Sequence, residues 1–279
     1  MASAILFPGQ GSQTAEMGEF VARVRPDLHA AAIAVVGEDP FARAEQSTRF
    51  AQPAIFCASL VGFSTLADDA AQAEFMAGHS LGELAALAAA HSLNEEDGLR
   101  LVTLRGALMA RAGEEAGCGG MVAVLGAGAA EHAEALASAH DLAIANDNSP
   151  QQVVLSGAKA RLPEAVTAAK ELGLRAMELP VTGAFHSPMM APAVPEFEAA
   201  LKETAFAEPR ATVLSAVTAA PFDDIRLRLT QALTMPVRWR ETMLALRELG
   251  AERFIETGPG KVLTGLAKRT LKDVELISA

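Results

Sequence analysis

Gly78-His79-Ser80-Leu81-Gly82 is the segment of this chain with the plainest chemical capacity. A serine with glycine two residues away on each side can be the nucleophile of an acyl transfer. Glycines let a strand and a helix backbone approach closely and leave the hydroxyl projecting from a tight turn. Glu74 to Ala77 reads as a strand and Leu81 to Ala90 as an Ala/Leu helix with Glu83 in its first turn, so Ser80 falls on the strand-turn-helix junction. The N-terminal amides of that helix, Leu81 included, would face the oxyanion formed when a thioester carbonyl is attacked.

A serine hydroxyl needs a general base. The histidines are His29, His79, His91, His132, His140 and His186. His29, His132 and His140 lie in charged or polar helix-like segments, and His91 closes the helix after Ser80, where a cation suits the dipole. His186 stands instead in Thr182 to Pro188, an irregular and poorly charged stretch of the kind that holds binding residues, and is the candidate base. No histidine follows it, so the Ser, then acid, then His order of an α/β-hydrolase is incomplete. A Ser80/His186 dyad would serve if a backbone carbonyl oriented the imidazole.

Glu95 to Glu115 reads as a helix capped by Asn94, and it carries three arginines. Arg100 has Glu96 and Asp97 at contact spacing and Arg111 has Glu114 and Glu115, which suits solvated ion pairs. Arg105 has Leu101, Val102, Leu108 and Met109 at every i±3 and i±4 position, so its stem lies on the apolar face. A buried guanidinium needs an anion or polar partners. It would either snorkel to the rim, pair with an internal carboxylate, or clamp the carboxylate of a substrate.

These residues must be held by an α/β fold. Short apolar runs at Ile5 to Phe7, Phe75 to Ala77, Thr212 to Leu214 and Arg253 to Ile255 read as strands between Ala-rich and Leu-rich helices. Residues 120 to 180 read differently, as strand (121 to 125), helix (129 to 139), strand (142 to 145), strand (152 to 156), helix (160 to 172) and strand (174 to 179). That β-α-β-β-α-β order is a ferredoxin-like unit. With Gly117 to Gly120 and Pro180 to Gly183 as hinges, the expected layout is a large, mostly parallel domain from 1–118 and 183–279 with a small subdomain, 119–182, inserted.

With 279 residues, of which 51% are hydrophobic, a disordered or fibrous chain is excluded. A net charge of −11 without any basic run interleaved with aromatics gives nucleic-acid binding no support. Cys57 and Cys118 form neither a disulfide framework nor a zinc motif, which suits a reducing compartment. The apolar run Ala4 to Phe7 is stopped by Pro8-Gly9, too short for a signal peptide or membrane span. The expectation is a soluble cytoplasmic protein.

Pro8-Gly9-Gln10-Gly11-Ser12-Gln13, GHSLGE (78–83), LRGALM (104–109), IANDNSPQQVVLSG (144–157), GAFHSPMM (183–190), PVRW (236–239) and GPGKVLTGL (258–266) occur in this order over nearly the whole chain. In them the chain resembles the malonyl-CoA:acyl-carrier-protein transacylases of fatty-acid and polyketide synthesis. The resemblance implies a hydrolase-like large domain and ping-pong transfer from malonyl-CoA to the phosphopantetheine thiol of an acyl carrier protein. It implies no permanently bound cofactor or metal. It makes Ser80 the nucleophile and His186 the base, gives Gln10 and Leu81 the oxyanion hole, assigns Arg105 to the malonyl carboxylate, and lines the substrate site with Met109, Phe185 and His79. Ala184-Phe185 before His186 resembles malonyl-selective members. Ala232 departs from the family's frequent Gln at that position, with Gln231 adjacent; a histidine-orienting backbone carbonyl there would survive the change.

A serine hydrolase or thioesterase would share the elbow without a need for Arg105. An idle scaffold subunit would have no reason to combine Gln10, Ser80, Arg105 and His186. A monomer is expected, and the eight Lys/Arg against four Glu between 238 and 272 suggest carrier docking near Arg238, Arg240, Lys268 or Arg269.

Overall fold

The computed structural model of the chain describes residues 1–66 and 72–278. The elements run β1 (Ala2–Phe7), α1 (Met17–Val24), α2 (Pro26–Val36), α3 (Thr48–Thr65), β2 (Phe75–Gly78), α4 (Gly82–Ala89), α5 (Glu95–Ala116), β3 (Gly119–Leu125), α6 (Ala129–Ala139), β4 (Leu142–Ser149) and β5 (Gln152–Ala158). They continue as α7 (Leu162–Glu171), β6 (Arg175–Glu178), α8 (Val194–Glu203), β7 (Thr212–Ser215), β8 (Ala220–Pro221), α9 (Ile225–Gln231), α10 (Trp239–Glu248), β9 (Ala251–Glu256), α11 (Val262–Thr270) and β10 (Glu275–Ser278).

The four apolar runs seen in the sequence become neighbouring strands of one sheet, in the order β10-β9-β1-β2-β7-β8. All its pairings are parallel except β7 with β8. Parallel strands are covered by helices on both faces, so they carry continuous apolar runs, and Ala4 to Phe7 is buried throughout. One core packs Ile5, Phe7 and Met76 under α3, α4 and α5. A second, on the opposite face, packs Leu6, Phe254 and Trp239 under α10 and α11.

The segment from β3 to β6 makes a separate antiparallel sheet in the order β4-β5-β3-β6. Its own core lies beneath α6 and α7, the ferredoxin-like arrangement the sequence predicts. The two connections to it run side by side, with glycines at the contacts. A Cβ on Gly113 would stand 2.9 Å from the Thr182 carbonyl, and one on Gly119 would stand 2.7 Å from the Ala184 amide. At its far edge β4 grips the PVRW segment. The Val237 amide donates to the Ala145 carbonyl at 2.8 Å, and its carbonyl accepts from the Asp147 amide at 2.9 Å.

Candidate active site

The elbow is built as the glycine spacing requires. Ser80 has φ 54°, in the left-handed region that a residue with a Cβ occupies only under constraint. A Cβ on Gly78 would fall 1.9 Å from the Gly82 carbonyl carbon, and one on Gly82 would fall 2.2 Å from the Phe7 carbonyl oxygen. No side chain fits at either place, so β1, β2 and α4 meet backbone to backbone and the serine is pushed outward.

His186 also has a positive φ, 55°. Its Nε2 lies 2.8 Å from Ser80 Oγ and its Nδ1 lies 2.9 Å from the Ala232 carbonyl. A carbonyl can only accept, so Nδ1 carries the proton and Nε2 is left as the lone pair facing the serine. The orienting carbonyl is that of Ala232, at the position the family resemblance points to. Burial first, and then the positive charge of Arg105, push the imidazole pKa down from 6.5 to about 3. At neutral pH the imidazole is an uncharged base.

Arg105 is only 3% exposed. Its Nη1 donates to Gln52 Oε1 at 2.9 Å and its Nη2 donates to Ser80 Oγ at 3.2 Å. Among the described residues no carboxylate lies within ion-pair distance of it, so the snorkelling and internal-pair alternatives both fall away. Burial pushes its pKa down to about 10, against the attraction of Glu83, and it remains a cation at neutral pH. Glu83 is itself buried at the first turn of α4, where Oε1 accepts from the Ala216 amide at 2.8 Å. Burial raises its pKa to about 7. The other two arginines are surface residues, as their spacing predicts. Arg100 pairs with Glu96 and Asp97, but Arg111 reaches across to Glu196 on α8 rather than to Glu114 or Glu115, because tertiary packing brings a second helix alongside.

A cavity of about 460 Å³ opens over Ser80 and His186, and Gln10, Leu81, Met109 and Phe185 border it. His79 borders it too, with Nε2 2.8 Å from Asn148 Oδ1 on β4 and its ring edge-on to Trp239 at 5.4 Å. Among the described residues the amides of Gln10 and Leu81 have no acceptor, which leaves both available to an oxyanion. Arg105 sits one layer back, touching the cavity through Ser80 and Gln52.

Sequence reading missed Gln52 and Asn148. Gln52 carried a weaker form of the Arg105 signal: Ile55 and Phe56 at i+3 and i+4 are apolar, but Thr48 and Arg49 at i−4 and i−3 are not. Asn148 gave no signal of its own. Of the four basic residues suggested for docking, Arg238 is paired with Glu241, and Arg240 with Asp147 at 2.7 Å. Lys268 and Arg269 remain exposed. Among the described residues there is no group of three or more His, Cys, Asp or Glu able to hold a metal ion, and no helix long and apolar enough to cross a membrane.

Comparison with known proteins agrees with this geometry. Residues 33–279 match the family described as "Acyl transferase domain". The malonyl CoA-acyl carrier protein transacylase of Synechocystis is 38% identical over 99% of this chain and 96% of its own length. The polyketide biosynthesis protein ThaF of Burkholderia thailandensis is 41% identical over 96% of this chain, but the chain spans only 24% of that protein. The crystal structure of MCAT from Mycobacterium tuberculosis superposes with a TM-score of 0.91 at 34% identity, covering 100% of this chain and 96% of that one. The chain belongs to the acyl transferase family, the family of the malonyl CoA-acyl carrier protein transacylases.

Proposed function

We propose that this chain transfers malonyl from malonyl-CoA to the phosphopantetheine thiol of an acyl carrier protein, by ping-pong through a malonyl-Ser80 ester. Ser80 Oγ attacks the thioester carbonyl as its proton passes to His186 Nε2, and the amides of Gln10 and Leu81 receive the oxyanion. Collapse of the tetrahedral intermediate breaks the C–S bond, and the leaving CoA sulfur takes the proton from His186. The carrier thiol then gives its proton to His186 and attacks the ester, and Ser80 leaves with that proton. Arg105 holds the malonyl carboxylate, exchanging its bond to Ser80 Oγ for one to the substrate. Met109 and Phe185 bound the acyl group, the bulk of Phe185 disfavouring an α-methyl, and His79 lines the same cavity.

The observation that carries this reading is a buried arginine, without an ionic partner among the described residues, bonded to the nucleophilic hydroxyl. A hydrolase of neutral acyl groups has no use for it. We further infer that the chain works as a monomer in the cytoplasm, with 1–118 and 183–279 as the catalytic domain and 119–182 as a subdomain closing over the elbow. Incubation with malonyl-CoA and a holo acyl carrier protein tests the reading. The carrier gains malonyl with wild type and not with Ser80→Ala. Release of free malonate in place of carrier malonylation would favour the hydrolase.

A further inference from the structure

Arg105 has only donors, and this fixes the direction of every bond around it. Gln52, 1% exposed on α3, must turn its Oε1 to Arg105, which leaves its Nε2 to donate to Thr48 Oγ1 at 3.2 Å and to Met109 Sδ at 3.3 Å. Having accepted from Gln52, the Thr48 hydroxyl spends its own proton on Gln10 Oε1, at 2.6 Å. One unidirectional line of donation therefore runs Arg105 to Gln52 to Thr48 to Gln10. Its first member also touches the nucleophile, and its last belongs to the loop that offers an amide to the oxyanion. Thr48 stands at the first position of α3 and, like Gln52, is nearly fully buried, whereas Gln10 at the end of the line is exposed.

We propose that Gln52 and Thr48 are positioning residues that join carboxylate recognition to the oxyanion loop. This rests on the transacylase reading above. When a substrate carboxylate displaces Ser80 Oγ from Arg105 Nη2, Gln52 keeps Nη1 anchored, so the guanidinium turns to the substrate without being lost into the core. Thr48 holds the Gln10 side chain at the other end, so its backbone amide stays aimed at the cavity. The two residues then have separable effects. Gln52 acts on the discrimination between acyl groups that carry a carboxylate and those that do not. Thr48 acts on the rate for both alike.

The test measures second-order rates of Ser80 acylation by malonyl-CoA and by acetyl-CoA in wild type, Gln52→Met, Thr48→Val and Thr48→Ser. Gln52→Met preserves shape and removes the acceptor; it is expected to slow malonylation about ten- to hundredfold, the range for a lost hydrogen bond to a charged group, and acetylation by no more than about threefold. Thr48→Val is expected to slow both substrates by one common factor, and Thr48→Ser to restore the rate. An unchanged malonyl-to-acetyl ratio in Gln52→Met overturns the proposal, as does a Thr48→Ser no better than Thr48→Val. Since the serine variant restores the hydroxyl in the same fold, a folding defect in the valine variant cannot imitate the result. If wild type itself takes no malonyl, the transacylase reading fails rather than the relay.

Discussion

At the scale of the residue, the dyad is set by what can donate and what can only accept. Ala232 offers a carbonyl, so His186 presents a bare Nε2 to Ser80 whatever the residue type at position 232. Burial and the neighbouring guanidinium keep that imidazole neutral, with a pKa near 3 in place of 6.5. In the acylation half-reaction, kcat/KM against pH should therefore show no acid limb near pH 6.5, and base catalysis should persist well below it. The sign for stability is opposite in consequence. Between pH 6.5 and about 3 the unfolded chain binds a proton at this histidine and the native one does not, so folding weakens as pH falls through that window. A limb at pH 6.5, abolished by no other substitution, would mean that His186 titrates as a solvated histidine and is not the buried base described.

At the scale of the element, the elbow shows why the sequence was legible there and less so elsewhere. Gly78 and Gly82 are demanded by contacts of 1.9 and 2.2 Å that no Cβ could make, so spacing alone revealed the turn. Replacing either glycine by alanine should destabilise the protein by about 3 kcal/mol or more, read by denaturant unfolding, since the obstacles are backbone atoms that cannot swing aside. A loss below about 1 kcal/mol would show that β2 and α4 can separate. Helix α5 was legible to within a residue because Asn94 caps it, accepting from the Asp97 amide at 2.8 Å, and left-handed Gly117 ends it. Helix α3 was not individually placed. It is apolar on nearly every side and carries Pro53 in its interior, so it lacks the one-sided periodicity that marks a helix. With α3 unplaced, Gln52 and Thr48 went unseen. The short edge strands β8 and β10 were missed as well, having only two and four residues and little burial to pattern them.

At the scale of the whole molecule, the site is assembled from segments far apart in the chain. Gln10 follows β1, Ser80 follows β2, Arg105 comes from α5, and His186 lies on the return from the small sheet with its anchor in the turn after α9. The small sheet contributes Asn148 to His79 and clasps Val237 next to the residues that lead into α10. The order of elements was readable because short apolar runs are separated by helical stretches in both parts, and in 120–180 they fall in the order β-α-β-β-α-β. Which residues meet was readable from the glycine spacing around Ser80, from the loop that holds His186, and from a residue type at odds with its surroundings, as Arg105 is. The Ala232 carbonyl could be assigned a task by sequence but not a contact, because backbone atoms leave no trace in residue identity.

In the proposed transfer Ser80 takes a malonyl group because Arg105 stands behind it. The most direct measurement is the intact mass of the protein after brief exposure to malonyl-CoA or to acetyl-CoA, for wild type, Ser80→Ala and Arg105→Ala. Wild type should carry a malonyl adduct with little acetylation, Ser80→Ala no adduct, and Arg105→Ala no preference for malonyl. A malonyl adduct that survives Ser80→Ala, or a preference that survives Arg105→Ala, would rule out these roles for the two residues.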